Sequence, residues 1–526
     1  DNRRAEMREL ADRMGVGYFD RPDNAGAKAG NLNHAMGLTN APYVVTFDAD
    51  MIPKSDFLMK TIPYFIDAEE RCAKLPEGTC RGLGFLQTPQ SFYTPDVFQH
   101  TLYAEHRAVN EQDFFYRTIE AAKTSTNSVI YGGSNTVLSR RAIEAAGGFF
   151  TGSITEDFAT GMLIEAAGYL SLAIPEPLAS GQAPQTFREH IRQRTRWGRG
   201  VISTAKQLDF LHRAELTPFQ KLSYWSSVVY WFSPLKTLIY MISPLLFSVF
   251  FIPVFRCTWP ELLLYWLPMF IMQELCLRII SGNSISVKWS GIYETVLMPH
   301  LLLPILQEAF GISLTTFKVT DKSGASRRRK RDITAMLPFA ALAVLCAVGI
   351  ARVLLLIRGI ESIGMFILLF WLFRNLYFLL MALFVTDGRD SDDEPVHVRD
   401  AEPVTLRSAG GDMISGGITT HLTEHSVKFF LDEAEGVRVG AHTRLAIETA
   451  DYKAELSGVV TGVERIRGGE QAVCEMEILD FGEFECEYLQ ILYDRVPTLP
   501  QDLRRDFGIL PHLWRNIAGR LARQFT

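Results

Sequence analysis

Two carboxylates close a short apolar run in Tyr43-Val44-Val45-Thr46-Phe47-Asp48-Ala49-Asp50. A β-branched and aromatic run of this kind predicts a buried parallel strand that emerges at a sheet edge, where ligands of open α/β sheets sit. If the backbone stays extended there, Asp48 and Asp50 point the same way and together offer oxygen ligands to one hard divalent cation. A plain polar loop after a strand is the alternative reading. Upstream, Asn24-Ala25-Gly26-Ala27-Lys28-Ala29-Gly30-Asn31 is a small-residue loop feeding a helix at Leu32 to Met36. Its backbone N–H groups can approach a phosphate or ribose, and Lys28 adds a point charge. Downstream, the glycine pair Gly132-Gly133 permits close approach of an acceptor or cofactor, or makes a tight turn.

Thr155-Glu156-Asp157 precedes a helical pattern at Phe158 to Ala167. Thr155 is suited to cap that helix, with Glu156 and Asp157 complementing its dipole. The functional alternative makes Asp157 a general base that takes a proton from a sugar hydroxyl. Arg188, Arg192, Arg194, Arg196 and Arg199, interleaved with Gln193 and Trp197, form a dense cationic segment. An indole stacks on a sugar ring while guanidiniums fork onto phosphate oxygens. A positively charged flank to the first membrane span is a compatible reading.

The elements that must position these residues alternate between helical and strand patterns over residues 1 to about 200, which predicts a mostly parallel sheet with helices on both faces. A short strand is expected near Val16 to Phe19 and another at Gly84 to Gln90, followed by a helix over Val97 to Glu111. The opening Asp1-Asn2-Arg3-Arg4 carries no signal peptide and reads as the interior of an α/β unit, with at least one strand expected upstream.

Composition sets the surroundings. Among 526 residues, 48% are apolar, which predicts that part of the chain lives in lipid; a net charge of -6 argues against a general nucleic-acid binder. Apolar stretches near 223–255, 259–281, 333–357 and 361–385 are long enough to span a bilayer. The run Arg327 to Arg331 places the central loop, the sheet domain and the C-terminal region on the cytoplasmic side. Residues 289–310 fit an interfacial helix; Lys236 and Arg374 fall inside apolar segments, where a charge must face protein, face water or snorkel. Short alternating runs at Ser426 to Leu431, Arg444 to Glu448, Ala454 to Thr461 and Ala472 to Leu479 predict a small antiparallel barrel, and Leu503 to Phe525 a basic amphipathic helix. The seven scattered cysteines lack metal-ligand spacing and read as free thiols in a reducing compartment.

In this order, Ala27-Lys28-Ala29-Gly30-Asn31, Asp48-Ala49-Asp50, Gln87-Thr88-Pro89, Thr155-Glu156-Asp157, Gln193-Arg194-Thr195-Arg196-Trp197 and Phe317-Lys318-Val319-Thr320-Asp321-Lys322 resemble the motifs of the bacterial cellulose synthase catalytic subunits, processive family-2 glycosyltransferases. The resemblance runs from residue 1 to about 385. It implies a GT-A-type α/β glycosyltransferase domain over 1–205, a membrane channel region over 206–385 with a gating loop at 313–326, a PilZ-like barrel over 386–500 and the amphipathic helix at 501–526. Carried over residue by residue, Lys28 and Asp48 contact the uridine diphosphate of the donor, and Asp50 holds Mg²⁺ or Mn²⁺ with the pyrophosphate. Gln193, Arg194 and Arg196 serve the donor's diphosphate, Trp197 with Gly132 and Gly133 serves the acceptor, and Phe317 and Thr320 close over the nucleotide. Asp157, within Thr155-Glu156-Asp157, is the base.

The implied partners are UDP-glucose, a nascent glucan chain, membrane lipid and accessory synthase subunits. The implied location is the plasma membrane, with multiple spans. Gly26 stands where the family has histidine, and Gly132 where it has cysteine. The linker Asp390-Ser391-Asp392-Asp393-Glu394-Pro395 is acidic where the family's cyclic di-GMP linker is basic, and Asp412-Met413-Ile414-Ser415-Gly416-Gly417 puts its serine one position late. Both departures predict a barrel that does not bind cyclic di-GMP. A synthase of a 1,3-linked, mixed-linkage, hyaluronan-like or chitin-like polymer is the alternative product reading, and a non-catalytic regulatory or export subunit the alternative class.

Overall fold

The computed structural model describes residues 4–522 except 77, 106, 185, 255–257, 283–284, 313–331, 358–362, 390–397, 399, 467–469 and 496–507. Phe317 and Thr320, the basic run at 327–331 and the linker at 390–395 lie outside the described residues.

The N-terminal part runs α1 (Ala5–Arg13), α2 (Ala27–Leu38), β1 (Tyr43–Thr46), β2 (Met51–Pro53), α3 (Phe57–Ala73), β3 (Leu83–Gln87), β4 (Ser91–Phe92), α4 (Val97–Thr101), α5 (Glu120–Lys123), β5 (Thr136–Ser139), α6 (Arg140–Ala145), α7 (Glu156–Ala166), β6 (Leu170–Ala173), β7 (Ala179–Gly181) and α8 (Phe187–Leu208). The strands form a four-stranded sheet in the order β1-β5-β3-β6 and a three-stranded one in the order β2-β7-β4.

This is a mixed sheet, not the mostly parallel one the alternation predicts. β5 enters antiparallel between β1 and β3, and only β3·β6 and β4·β7 run parallel among the described strands. Among the described strands β1 stands at the end of its sheet with antiparallel pairing, and of its residues only Thr46 is fully buried. The two interior strands, β5 and β3, are buried along their whole length; a side chain at Gly84 of β3 would meet Ile164 Cγ2 at 2.5 Å, so glycine lets α7 lie against it.

Three further expectations fail locally. Residues 16–19 form no strand, and none of the described strands pairs with them. The helix from Val97 stops at Thr101, because Tyr103 takes a left-handed φ of 54°. Beyond it, residues 108–111 are held by side chains: Gln99 Nε2 donates to Ala108 O at 2.8 Å, Tyr293 OH to Val109 O at 3.2 Å, and Glu111 N to Asp96 Oδ2 at 3.2 Å. Cys72 and Cys80 are disulfide-bonded with Cα atoms 5.3 Å apart, because the chain folds back at the end of α3. The free-thiol reading fails for this pair; Cys346 and Cys474 are buried free thiols, and Cys276 and Cys486 exposed ones.

The apolar region comprises α9 (Pro218–Tyr230), α10 (Ser233–Phe250), α11 (Trp259–Ile280), α12 (Val287–Ala309), α13 (Ile333–Leu356) and α14 (Ile363–Asp387). Among the described residues, four helices are long and apolar enough to cross a membrane, lying in α10, α11, α13 and α14. The stretch at 223–255 is thus two helices. Pro234 sits in the first turn of α10, where its missing N–H costs nothing, and the chain breaks just before it. α12 carries two prolines and packs between α8 and the pair α10 and α14, with Trp289, Ile292 and Val296 fully buried. Inside the bundle Lys236 Nζ pairs with Glu294 Oε1 at 2.9 Å, while the Arg374 guanidinium lies over the Phe378 and Trp371 rings at 4.6 and 5.1 Å. These residues line a cavity of about 140 Å³, together with Tyr240, Trp266 and Asn375.

The C-terminal part comprises β8 (Pro403–Ser408), β9 (Met413–Leu422), β10 (Ser426–Leu431), β11 (His442–Glu448), β12 (Lys453–Arg465), β13 (Ala472–Asp480), α15 (Glu485–Asp494) and α16 (Ile509–Ala522). Its strands close into a barrel in the order β10-β13-β12-β11-β8-β9, filled by alternating side chains such as Leu406, Phe429, Leu445 and Leu456. The barrel is clipped to the sheet domain. The Asp494 carboxylate accepts from Ser55 N at 2.9 Å and Ser55 Oγ at 2.6 Å, and Tyr493 packs against Tyr93 with ring centroids 6.1 Å apart. α16 joins the sheet domain to α14: His512 bonds Tyr377 OH at 3.0 Å, and Asn516 Nδ2 donates to Leu102 O at 3.1 Å.

Candidate active site

Asp48 does not continue an extended strand. β1 ends at Thr46, and Met51 N bonds Asp48 O at 2.9 Å, so Asp48 and Asp50 occupy a tight turn between β1 and β2. The expectation that an extended backbone aligns both carboxylates fails here. Asp48 instead turns to Lys28, whose Nζ lies 2.5 Å from Asp48 Oδ1 and 2.8 Å from Gly133 O. Lys28 stands in the first turn of α2, which starts from Gly26 at φ 69°. Asp48 N also bonds Ser134 Oγ at 2.9 Å. Among the described residues no cluster of three or more His, Cys, Asp or Glu side chains is placed to hold a metal ion. A cation bound beside Asp50 would therefore draw its other ligands from the oxygens of a bound diphosphate and from water. A hard carboxylate beside phosphate oxygens fits Mg²⁺ or Mn²⁺.

The Gly132-Gly133 turn is braced from β3. Gln87 Oε1 accepts from Gly132 N at 2.8 Å and from Thr136 Oγ1 at 2.7 Å, and Gln87 Nε2 donates to Ser134 O at 2.9 Å. Gln90 Nε2 holds Gly132 O at 3.0 Å. Gly133 has φ 76°, and a Cβ there would lie 2.7 Å from Asp157 Oδ2. The turn thus brings Lys28, Asp48 and Asp157 around one point.

Asp157 and Glu156 open α7, and Asp157 Oδ1 accepts its neighbour's Phe158 N–H at 2.8 Å. Burial pushes the Asp157 carboxyl up from the usual range; the Phe158 N–H, Lys28 and Arg196 pull it back and Asp48 pushes it up further. Burial and the adjacent Asp157 charge push Glu156 up to about 7. Thr155 makes no side-chain cap to α7. Its hydroxyl lies 3.1 Å from Thr204 Oγ1 on α8, and a side chain at Gly200 would meet Thr155 Cγ2 at 2.4 Å, so α8 packs directly on the Thr155-Glu156-Asp157 turn. The far end of α7 is tied to α9, where Tyr224 OH donates to Glu165 Oε2 at 2.5 Å.

The cationic segment divides by helical face. Along α8, at about 100° per residue, Arg196 and Gly200 lie about 40° apart and so do His190 and Arg194, whereas Arg194 and Arg196 are about 160° apart; Gln193 and Trp197, themselves about 40° apart, fall between the two arginines. Arg196 shares the first face with Gly200 and acts electrostatically on Glu156 and Asp157. On the second face, Arg194 is buried, pairs with Glu111 Oε2 at 2.5 Å and lies 4.5 Å from the Trp197 ring centroid. The outer arginines hold the ends of neighbouring helices: Arg188 Nε meets Asp332 Oδ2 at 2.6 Å, and Arg199 meets Glu308 Oε2 at 3.0 Å. Glu111, Ser134 and Thr204 are contacts that sequence reasoning missed. Glu111 reaches a partner 83 positions away, and nothing in Asn110-Glu111-Gln112 signals it.

The family model described as Glycosyl transferase family group 2 matches residues 43–275. The chain is 29% identical over 451 residues to the UDP-forming cellulose synthase catalytic subunit of Pseudomonas fluorescens (strain SBW25), covering 85% of this chain and 59% of that protein. It is 32% identical over 353 residues to the UDP-forming cellulose synthase 1 catalytic subunit of Komagataeibacter xylinus, covering 67% of this chain and 46% of that protein. The chain spans about half the length of the curated relatives it matches. A solved PilZ domain of CeSA from a cellulose-synthesizing bacterium is similar to 18% of this chain, covering 94% of that domain at 16% identity with a TM-score of 0.15.

Proposed function

We propose that this chain, whose residues 43–275 match the model described as Glycosyl transferase family group 2, is the catalytic part of a processive, membrane-embedded synthase. It transfers glucose from UDP-glucose to the non-reducing end of a β-1,4-glucan with inversion and passes the polymer across the membrane. The observation that carries this reading is the convergence of Lys28, Asp48, Gly133 and Asp157 around one point, with Arg196 on the face of α8 turned to the acid pair. An inverting transfer needs one base and a set of cations at the leaving group. Asp157 accepts the proton of the acceptor hydroxyl as its oxygen attacks the anomeric carbon from the face opposite the diphosphate. Lys28 and Arg196 take up charge as UDP departs. Mg²⁺ or Mn²⁺, when bound at Asp50 with the diphosphate, supplies Lewis-acid stabilisation of that leaving group. Trp197 and the Gly132-Gly133 turn carry the acceptor sugar, and Phe317 and Thr320 close over the nucleotide.

Four membrane-length helices among the described residues, and an aromatic, polar cavity among α10, α11, α12 and α14, support a polymer path through the helical region. On this reading the plasma membrane holds the spans, the catalytic and barrel domains are cytosolic, and accessory synthase subunits are partners. The PilZ-like barrel works without cyclic di-GMP. In support, Ser415 is buried and spends its hydroxyl on Gly416 O at 3.0 Å and Glu433 N at 3.2 Å.

The test is incorporation of radiolabelled sugar by the full chain from UDP-glucose against UDP-N-acetylglucosamine, with the product digested by linkage-specific glucanases. Glucose-only incorporation and complete digestion by a β-1,4-glucanase are expected. A 1,3-linked or N-acetylglucosamine polymer removes the cellulose assignment, and no polymer at all removes the synthase reading.

A further inference from the structure

The two arginines of Gln193-Arg194-Thr195-Arg196-Trp197 leave α8 about 160° apart, and their charged groups have different neighbours. Arg196 is on the side of the acid pair. Arg194 is on the side of Trp197, one helical turn earlier, with its guanidinium 4.5 Å from the indole centroid. Its side chain is 8% exposed, and so is that of Glu111, which binds its Nη2 at 2.5 Å. The Glu111 backbone is in turn fixed from two elements: its N–H bonds the Asp96 carboxylate that caps α4, and two residues earlier Val109 O accepts from Tyr293 of α12. His190 lies on the same face, its Nε2 3.7 Å from Glu111 Oε2, and its ring meets Phe98 edge-on at 5.2 Å.

From this arrangement we propose that Glu111 is a positioning residue for the acceptor platform: it anchors Arg194 as a fixed cationic backing for the Trp197 indole, and Arg194 serves the acceptor side of the site instead of the donor diphosphate. A guanidinium held by a buried carboxylate and packed on a ring restricts where that ring can tilt. The sugar that the indole carries is thereby held in one orientation. For a polymerase this matters at every cycle, because the chain end must re-seat after each addition. The assignment rests on the synthase reading of the site, and it moves Arg194 away from the donor role that the motif resemblance implies.

The experiment compares wild type, Glu111→Gln and Arg194→Lys in the full chain. It measures turnover, donor KM, inhibition by UDP and product length. Both variants are expected to lower turnover about tenfold and to shorten the product at least threefold, with donor KM and the UDP inhibition constant within about twofold of wild type. A tenfold or greater loss of UDP affinity in either variant returns Arg194 to the diphosphate and overturns the proposal; unchanged turnover and product length overturn it as well. Should Glu111→Gln fail to fold, the double variant Glu111→Leu/Arg194→Met leaves no unpaired buried charge. It is expected to show the same short product with UDP affinity retained, and wild-type product from it overturns the proposal. A wild-type protein that makes no polymer removes the synthase reading and the proposal together, whereas active wild type with normal variants removes the proposal alone.

Discussion

Gly133→Ala tests the geometry of the proposed base directly. The new methyl would start 2.7 Å from Asp157 Oδ2 and 3.4 Å from its Cβ and Cγ, so the carboxylate must withdraw by about 0.7 Å to reach ordinary contact. At φ 76° an L-residue also carries a backbone cost of about 1–2 kcal/mol. Displacement of about 1 Å in a reacting constellation costs on the order of a hundredfold in rate, so turnover should fall about 10- to 100-fold. The Lys28 contact is to the Gly133 carbonyl and Asp48, neither of which carries the methyl, so the UDP inhibition constant should move by about twofold at most. Initial rates of sugar incorporation, UDP inhibition and thermal melting read these effects separately. Gly147→Ala is the matched control: φ is 88° there and nothing lies within 4 Å of the added atom, so it carries the backbone cost without the collision. Full turnover in Gly133→Ala, or an equal loss in Gly147→Ala, would refute the placement of the Asp157 carboxylate against this turn.

Asp157→Asn should lower polymer formation by about 10²–10⁴-fold, the range for losing a general base, while UDP binding measured by titration stays near wild type. The acid limb of the pH–rate profile should lie above the ordinary carboxylate range. Asp157 acts deprotonated, and its carboxyl, like that of Glu156 at about 7, is pushed up, so the active form is lost as pH falls through that raised value. Glu156→Gln removes the like charge beside Asp157 and should move the limb to lower pH; a limb that stays put or moves up contradicts the coupling. Cyclic di-GMP titrated into the full chain should leave the rate of synthesis unchanged, and stimulation of several fold contradicts the reading of Ser415.

Four of the six barrel strands were legible because they alternate: Ser426–Leu431 is read to the residue and β11, β12 and β13 to within a few at their ends, whereas β8 and β9 were not picked out, and β9 buries its residues irregularly. Alternation reports burial on one face and does not depend on which strand lies alongside. The sheet domain was less legible for the converse reason. Whether β5 runs parallel or antiparallel between β1 and β3 depends on its partners, and no local pattern in Thr136–Ser139 carries that. Motif spacing brought Lys28, Asp48 and Asp157 to attention, and the structure places them together. It could not divide Arg194 from Arg196, because that division appears only once the segment is wound into a helix. The closing of Cys72 on Cys80 likewise depends on how the chain turns after α3.

The clip between Ser55 and Asp494 makes the barrel part of the scaffold that carries the Asp50 turn. Ser55 follows Asp50 by one short strand, and Tyr93, which feels the Asp50 charge, leans on Tyr493. A shortened protein ending before α15 would thus free the start of α3 and the flank of Tyr93 at the same stroke. Dead deletion mutants would then report a slackened donor pocket and say little about signalling. A chimera that exchanges β8 to β13 while retaining Tyr493 and Asp494 isolates what the barrel senses from what it props up.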